Sequence, residues 1–134
     1  MSTLALSPML RFALRLDAVA SAMIGLLTLI GASPVSTWVG APSAAVFAAG
    51  AFMLVYGVAI GWLSTRGRLD ARLVWAVIVG NLVWVVDSVL LAGSDWIHPG
   101  TLGSVLLLGQ AVAVAAFAQL QYLGLRQSQA LAAA

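Results

Sequence analysis

The stretch that decides the fold is Ala71–Ala92, ARLVWAVIVGNLVWVVDSVLLA. Its length matches the roughly 20 apolar residues that a helix needs to cross a bilayer, and beyond its first turn the only ionisable residue is Asp87. A charged side chain in the hydrocarbon core costs about 2.5 to 3.5 kcal/mol on insertion scales, so Asp87 is a functional candidate by default. Asn81, Trp84 and Ser88 follow a spacing of i, i+3 and i+7, which places them on one face of the helix with Asp87 at its edge.

Three further segments have the same character, and together they predict four membrane-spanning helices. The whole chain is 63% hydrophobic and 7% charged, whereas soluble domains carry about 25% charged residues. The sequence therefore predicts an all-α membrane protein, with one integral membrane domain over residues 1–134 and four transmembrane helices in an antiparallel bundle. The expected helix bounds are about 9–32, 43–64, 71–92 and 101–125. The first segment also resembles a signal peptide, with a cleavage point near Gly31–Ser33, as an alternative interpretation.

The distribution of charge predicts the orientation of these helices. The chain has no Lys and no Glu, and its six arginines all fall on one side of the predicted membrane, at Arg11, Arg15, Arg66, Arg68, Arg72 and Arg126. The connectors on the other side, 33–42 and 93–100, contain no Arg. Because short cytoplasmic loops collect positive charge, we expect both termini in the cytoplasm. The arginines are too few and too scattered for a nucleic-acid footprint.

Other residue types exclude several kinds of chemistry. There is no Cys and a single His, so thiolate metal sites, disulfides and Cys nucleophiles are excluded, as is a bis-histidine haem within one chain. No catalytic serine, phosphate-binding loop or metal-ligand motif is present. We therefore expect a non-enzymatic protein without a cofactor or metal.

The first candidate site is a group of polar residues inside the membrane: Asn81, Trp84, Asp87, Ser88 and Gln110. Asp87 follows Arg72 by fifteen residues, or about 22 Å of helix, which places it in the outer third of the core. With no arginine on that side, we expect Asp87 to carry its proton. One interpretation is a group of hydrogen bonds that hold the helices together. The other is a protonatable site for coupled transport.

The second candidate site surrounds Asp17. It has Arg11 and Arg15 on its own helix and Arg126 on the same side of the membrane, which predicts an interfacial ion-pair cluster. Alternatively, Asp17 is the cytoplasmic half-site of a path for protons or cations. A narrow polar or small stripe, expected to face other helices, runs along the same helix through Asp17, Ser21, Gly25 and Thr28.

Local signals predict several helix ends and contacts. Ser7 and Pro8 are typical of an N-cap and a first helical position, and Asp70 and Ser43 are expected to cap later helices. A small-x-x-x-small pattern at Gly57–Gly61 predicts a close approach of two helices. We expect irregular structure at 1–7 and 33–42 and a frayed tail at 127–134.

The two halves of the chain share a short motif. Residues 15–18, Arg-Leu-Asp-Ala, recur as residues 68–71, at the beginnings of the first and third predicted helices. Two hairpins in the same orientation would form a parallel repeat. A chance match of four residues is the alternative.

Three segments together resemble a known kind of protein: Leu16-Asp17-Ala18…Ser21…Gly25-Leu26-Leu27, Asn81-x-x-Trp84 and Gln121-Tyr122-x-Gly124-Leu125-Arg126. They resemble uncharacterised small four-helix inner-membrane proteins of high-GC bacteria. The resemblance implies a bacterial inner-membrane location and brings no activity with it. In size and helix count alone the chain is also similar to the small multidrug resistance transporters, whose first helix carries a Glu in a pattern that is absent here.

These observations lead to two functional hypotheses. The first is a small accessory or interaction protein that packs in the lipid bilayer with itself or with a larger membrane partner. The second is a small proton-coupled transporter that works as an oligomer, with Asp87 as the protonatable group. Four helices enclose little aqueous space, so transport would require more than one copy.

Overall fold

The computed structural model describes residues 2–134 and forms a helical bundle. In this part of the chain the elements are β1 Thr3–Ala5, α1 Pro8–Ile30, α2 Ala32–Val39, α3 Ser43–Ser64, β2 Arg68–Asp70, α4 Ala71–Ala92 and α5 Thr101–Ala133. Four of them, α1, α3, α4 and α5, are long and apolar enough to cross a membrane. The predicted all-α class is confirmed, and the chain is a multi-pass integral membrane protein.

Large apolar side chains cover the outside of the bundle. Leu27 is 64% exposed, Val55 69% and Val112 72%, each on a different long helix. In water such a surface would aggregate, whereas lipid solvates it. The buried interior is correspondingly narrow and holds mostly small, aliphatic and polar side chains.

Helix α1 is the central element, because it packs against both α3 and α5, while α4 packs against α5. The contact between α1 and α3 depends on glycines. A Cβ atom at Gly57 would lie 2.5 Å from the backbone nitrogen of Ala22, and one at Gly25 would lie 2.5 Å from that of Leu54. The close approach predicted from Gly57–Gly61 is therefore confirmed, and Gly25 contributes to it from α1.

The backbones of α3 and α4 do not pack closely, and side chains bridge them instead. Phe52 of α3 stacks on Trp84 of α4 with ring centroids 6.0 Å apart. Behind these rings lies a cavity of about 70 Å³ that is lined mainly by apolar atoms. The bundle is thus closed by side chains along this one side.

The end of the bundle that carries the arginines is more ordered than the sequence predicted. Strand β1 pairs antiparallel with β2, with Leu4 opposite Leu69. The Ser7 hydroxyl accepts a hydrogen bond from the Leu10 N–H at 3.1 Å, as its predicted N-cap role requires, and donates to the Gly124 carbonyl at 2.9 Å. The Ser7 N–H donates to the Ser128 hydroxyl at 2.9 Å.

Two expectations for the chain termini are therefore wrong. Residues 3–5 form a strand rather than an irregular tail, although Met1 lies outside the described residues. The expected frayed tail at 127–134 instead continues α5 to Ala133, because Ser128 is buried against the first helix and ties this turn to it.

At the opposite end, the predicted irregular connector 33–42 contains the eight-residue helix α2. Pro34 lies in its first turn, where a missing N–H is tolerated. The helix ends at Gly40, whose φ of 66° is left-handed and suits glycine. Helix α1 accordingly ends at Ile30 rather than at residue 32, and Pro42 rather than Ser43 occupies the N-cap of α3.

The two copies of the Arg-Leu-Asp-Ala motif have different structural roles. Asp70 caps α4 as predicted, since its carboxylate accepts a hydrogen bond from the Arg72 N–H at 2.9 Å. Asp17 lies within α1 and is completely buried. The motif therefore does not mark equivalent positions, and a duplication of the hairpins stays a prediction.

Candidate functional site

One polar side chain from each of the four long helices reaches the centre of the bundle. We call Asp17 of α1, Tyr56 of α3, Asn81 of α4 and Gln121 of α5 the central ring. Asp17 and Gln121 are 0% exposed and Asn81 is 4% exposed. On α4 the ring lies well inside the predicted span, because Asn81 follows Arg72 by nine residues, or about 14 Å of helix.

The Asp17 carboxyl receives most of the hydrogen bonds. Its Oδ2 atom lies 2.7 Å from Gln121 Nε2, 2.8 Å from Asn81 Nδ2 and 3.0 Å from the Tyr56 hydroxyl. Its Oδ1 atom accepts a hydrogen bond from the Ser21 hydroxyl at 3.0 Å. All these partners are uncharged.

Two further contacts close the ring. The Tyr56 hydroxyl donates to Asn81 Oδ1 at 2.9 Å, and Asn81 Nδ2 lies 3.0 Å from Gln121 Oε1, to which it donates. Each member thus touches the next around the bundle. The ring is the only group of side-chain hydrogen bonds in residues 2–134 that connects all four long helices.

The structure places the arginines of the expected ion-pair cluster elsewhere. Arg11 donates to the Ser64 carbonyl at 2.6 Å, Arg126 donates to the Tyr122 hydroxyl at 3.2 Å, and Arg15 is exposed. The reason is rotational: residues two apart on a helix lie about 200° apart, so Arg15 faces away from Asp17. The expectation that these cations pair with Asp17 is therefore wrong.

Three members of the other predicted site do come together, between α4 and α5. Trp84 Nε1 donates to Gln110 Oε1 at 2.7 Å, and Gln110 Nε2 donates to the Ser88 hydroxyl at 2.9 Å. The Ser88 hydroxyl in turn donates to the Trp84 carbonyl at 2.7 Å. We call these three residues the outer cluster. Asn81 belongs to the central ring instead.

Asp87 takes part in neither group. It is exposed on the outer face of α4, where it lines a shallow groove of about 220 Å³ with Val79, Leu82, Val83 and Val86. One residue of helix rotates a side chain by about 100°, which turns Asp87 away from the buried Ser88. The five residues expected to form one site are therefore divided among the central ring, the outer cluster and the outer surface of the bundle.

Tyr56, Gln121 and Ser21 belong to the site but were not predicted as site residues from the sequence. Ser21 was placed on the stripe that faces other helices, and its burial together with that of Asp17 and Gly25 confirms that stripe. Gln121 could have been predicted from the sequence, since an amide side chain among apolar residues of a membrane helix needs a hydrogen-bond partner on another helix. Tyr56 carried no periodic signal that separated it from an interfacial aromatic residue.

The residues that the structure describes offer no ready metal centre, because no group of three or more His, Cys, Asp or Glu side chains lies together among them. What the arrangement can do is connect the four long helices through the side chains of the central ring.

Comparisons with protein families, with curated proteins and with solved structures give no match to this chain. The fold and the geometry of the polar groups therefore carry the functional conclusions by themselves.

Proposed function

We propose that this chain is a non-enzymatic accessory or interaction protein of the bacterial inner membrane. It has both termini in the cytoplasm and packs through the outer face of α4 against a second copy or a larger membrane protein. The observation that carries this proposal is the position of Asp87. The proposed orientation of the chain in the membrane is supported by its six arginines, which all fall on one side of the four spans.

A carboxyl group on a lipid-facing surface is costly unless something covers it. Asp87 precedes Ala92, the end of α4, by five residues, or about 7 Å, so it lies below the headgroups. Its neighbours in the groove are Val79, Leu82, Val83 and Val86, none of which offers a hydrogen bond. A partner that fills the groove and bonds to the carboxyl removes this cost.

The interior supports the same proposal. Among residues 2–134, no buried side-chain nitrogen or oxygen lacks a hydrogen-bond partner. The buried polar side chains thus all have partners within the chain, and those of the central ring join helices, as is typical of polar groups that hold membrane helices together. The groove beside Asp87 is the feature that is left for a partner.

Photo-crosslinking in native membranes tests the proposal. A photoreactive amino acid at Val83, in the groove, should give a defined product, either of twice the chain's mass or with a larger protein. The matched control is Val58, which is 62% exposed on α3. Equal or absent products at the two positions would contradict the assignment of this face.

A small proton-coupled transporter that works as an oligomer is the second candidate. The observation that favours it is the groove itself, because a second copy over α4 would enclose the space beside Asp87. Purified protein in liposomes should then carry protons across the bilayer when a pH gradient is applied, and Asp87→Asn should abolish this proton flux without loss of the crosslink at Val83. A proton flux that persists in this variant would remove Asp87 from the mechanism.

A further inference from the structure

If Asp17 were ionised, the central ring would have one hydrogen atom fewer than its close polar contacts require. The Tyr56 hydroxyl lies 3.0 Å from Asp17 Oδ2 and 2.9 Å from Asn81 Oδ1, but it has a single hydrogen. If Asp17 were ionised, both of these neighbours would be acceptors. One oxygen–oxygen pair at hydrogen-bond distance would then have no hydrogen between its atoms.

The two amides cannot supply the missing hydrogen. Asn81 directs its Nδ2 group to Asp17 Oδ2 and to Gln121 Oε1, at 2.8 and 3.0 Å. Gln121 directs its Nε2 group to Asp17 Oδ2 at 2.7 Å. Neither amide donates to the Tyr56 oxygen, so within the ring only the Asp17 carboxyl remains as a source of the missing hydrogen atom.

We propose that Asp17 is a proton-binding site at the centre of the membrane bundle, with the proton on Oδ2 and directed at the Tyr56 oxygen. The hydrogen bonds then run in one direction around a closed cycle: Asp17 to Tyr56, Tyr56 to Asn81, Asn81 to Gln121 and Gln121 back to Asp17. Every short contact in the cycle has a hydrogen atom. The ligand of this site is a single proton, and its binding connects four helices.

The charged groups around the site do not compensate a carboxylate. On α1, Arg11 donates to the Ser64 carbonyl and Arg15 is exposed. The other charged side chains on the long helices, all exposed, are Arg72 and Asp87 on α4 and Arg126 on α5, which donates to the titratable Tyr122. Helix α3 contains no charged residue. The proton is therefore the cation that the site holds.

Infrared spectroscopy of the full-length protein in lipid nanodiscs tests the proposal directly. The chain has only four carboxyl side chains, all Asp, so individual bands can be assigned by substitution. At neutral pH, Asp17→Asn should remove one protonated-carboxyl C=O band. The matched control is Asp87→Asn, which should leave that band in place. If Asp17→Asn instead removes a carboxylate band and leaves every protonated-carboxyl band, the proposal is wrong.

Tyr56→Phe provides a second measurement that does not depend on the folding of the Asp17 variant. It retains the aromatic ring that stacks on Phe52 but removes the acceptor of the Asp17 proton. The protonated-carboxyl band should move to higher frequency, because its O–H group loses a hydrogen bond. A shift confined to a carboxylate band, or no shift in a folded protein, would show that Tyr56 does not receive a proton from Asp17.

Discussion

Gln121 shows what a single amide can do inside a membrane bundle. Its nitrogen donates to Asp17 and its oxygen accepts from Asn81, so one side chain on α5 holds groups from α1 and α4. It is completely buried, although glutamine is polar. Loss of this amide would leave a donor of Asn81 without its acceptor and would remove one donor from Asp17.

We therefore expect Gln121→Leu to lower the free energy of unfolding by about 1 to 3 kcal/mol, the usual cost of a buried polar group without its partner. Thermal or denaturant unfolding in detergent measures this. The control is Gln119→Leu, the same change two residues away at an exposed position on the same helix, which should have little effect. Equal losses in both variants would contradict the role of Gln121 in the ring.

The sequence allowed part of this residue-scale arrangement to be predicted. Helical spacing correctly placed Asp17 and Ser21 on a buried face and Trp84 with Ser88 on one face of α4. It could not identify their partners, because Asp17 and Gln121 are separated by 104 residues and the rotation of each helix decides which polar groups meet. Arg15 was assigned to Asp17 by proximity in sequence, whereas the helix directs the two side chains apart.

At the scale of elements, the α1–α3 contact depends on the absence of a side chain at Gly57. A Cβ atom there would lie 2.5 Å from Ala22 N and 2.8 Å from the Ala18 carbonyl oxygen, both parts of the α1 backbone. Gly57→Val should therefore force the helices apart and cost about 1 to 3 kcal/mol or more. Gly109→Val is the control, since a Cβ at Gly109 meets nothing within 4 Å. Unfolding midpoints of the purified variants decide between them.

The last turns of α5 form another element contact, and Ser128 carries it. Its hydroxyl accepts the Ser7 N–H at 2.9 Å and donates to the Gly124 carbonyl at 3.0 Å. Ser128→Ala should destabilise the protein by about 1 kcal/mol and accelerate hydrogen exchange at the Ser7 amide. Gln127→Ala, an exposed neighbour, should change neither measurement. Unchanged exchange at Ser7 in the Ser128 variant would contradict this contact.

For the whole molecule, hydrophobicity and helix length were sufficient to predict the fold class and four spans within about two residues, except at the end of α5. The extra helix α2 and the β1–β2 pair were not predicted, because eight-residue and three-residue elements carry too little periodicity. The orientation in the membrane stays a prediction that labelling can test.

Four spans place Gly67 and Gln129 on one side of the membrane and Ser94 on the other. Because the chain has no Cys, single cysteines at these positions can be labelled with a membrane-impermeant maleimide. We expect Gly67→Cys and Gln129→Cys to react only after the inner membrane is opened, and Ser94→Cys to react before. The reverse pattern would overturn the proposed orientation, and a split between Gly67 and Gln129 would contradict the number of spans.

The central ring has a consequence for synthesis of the protein. Gln121 is synthesised 104 residues after Asp17. During that interval the Asp17 carboxyl in α1 lacks its hydrogen bond from Gln121. Helix α1 is therefore less stable in lipid until α5 is inserted. Insertion of α5 completes the hydrogen bonds of Asp17, so we expect a chain truncated before α5 to be less stable in the membrane than the full-length chain.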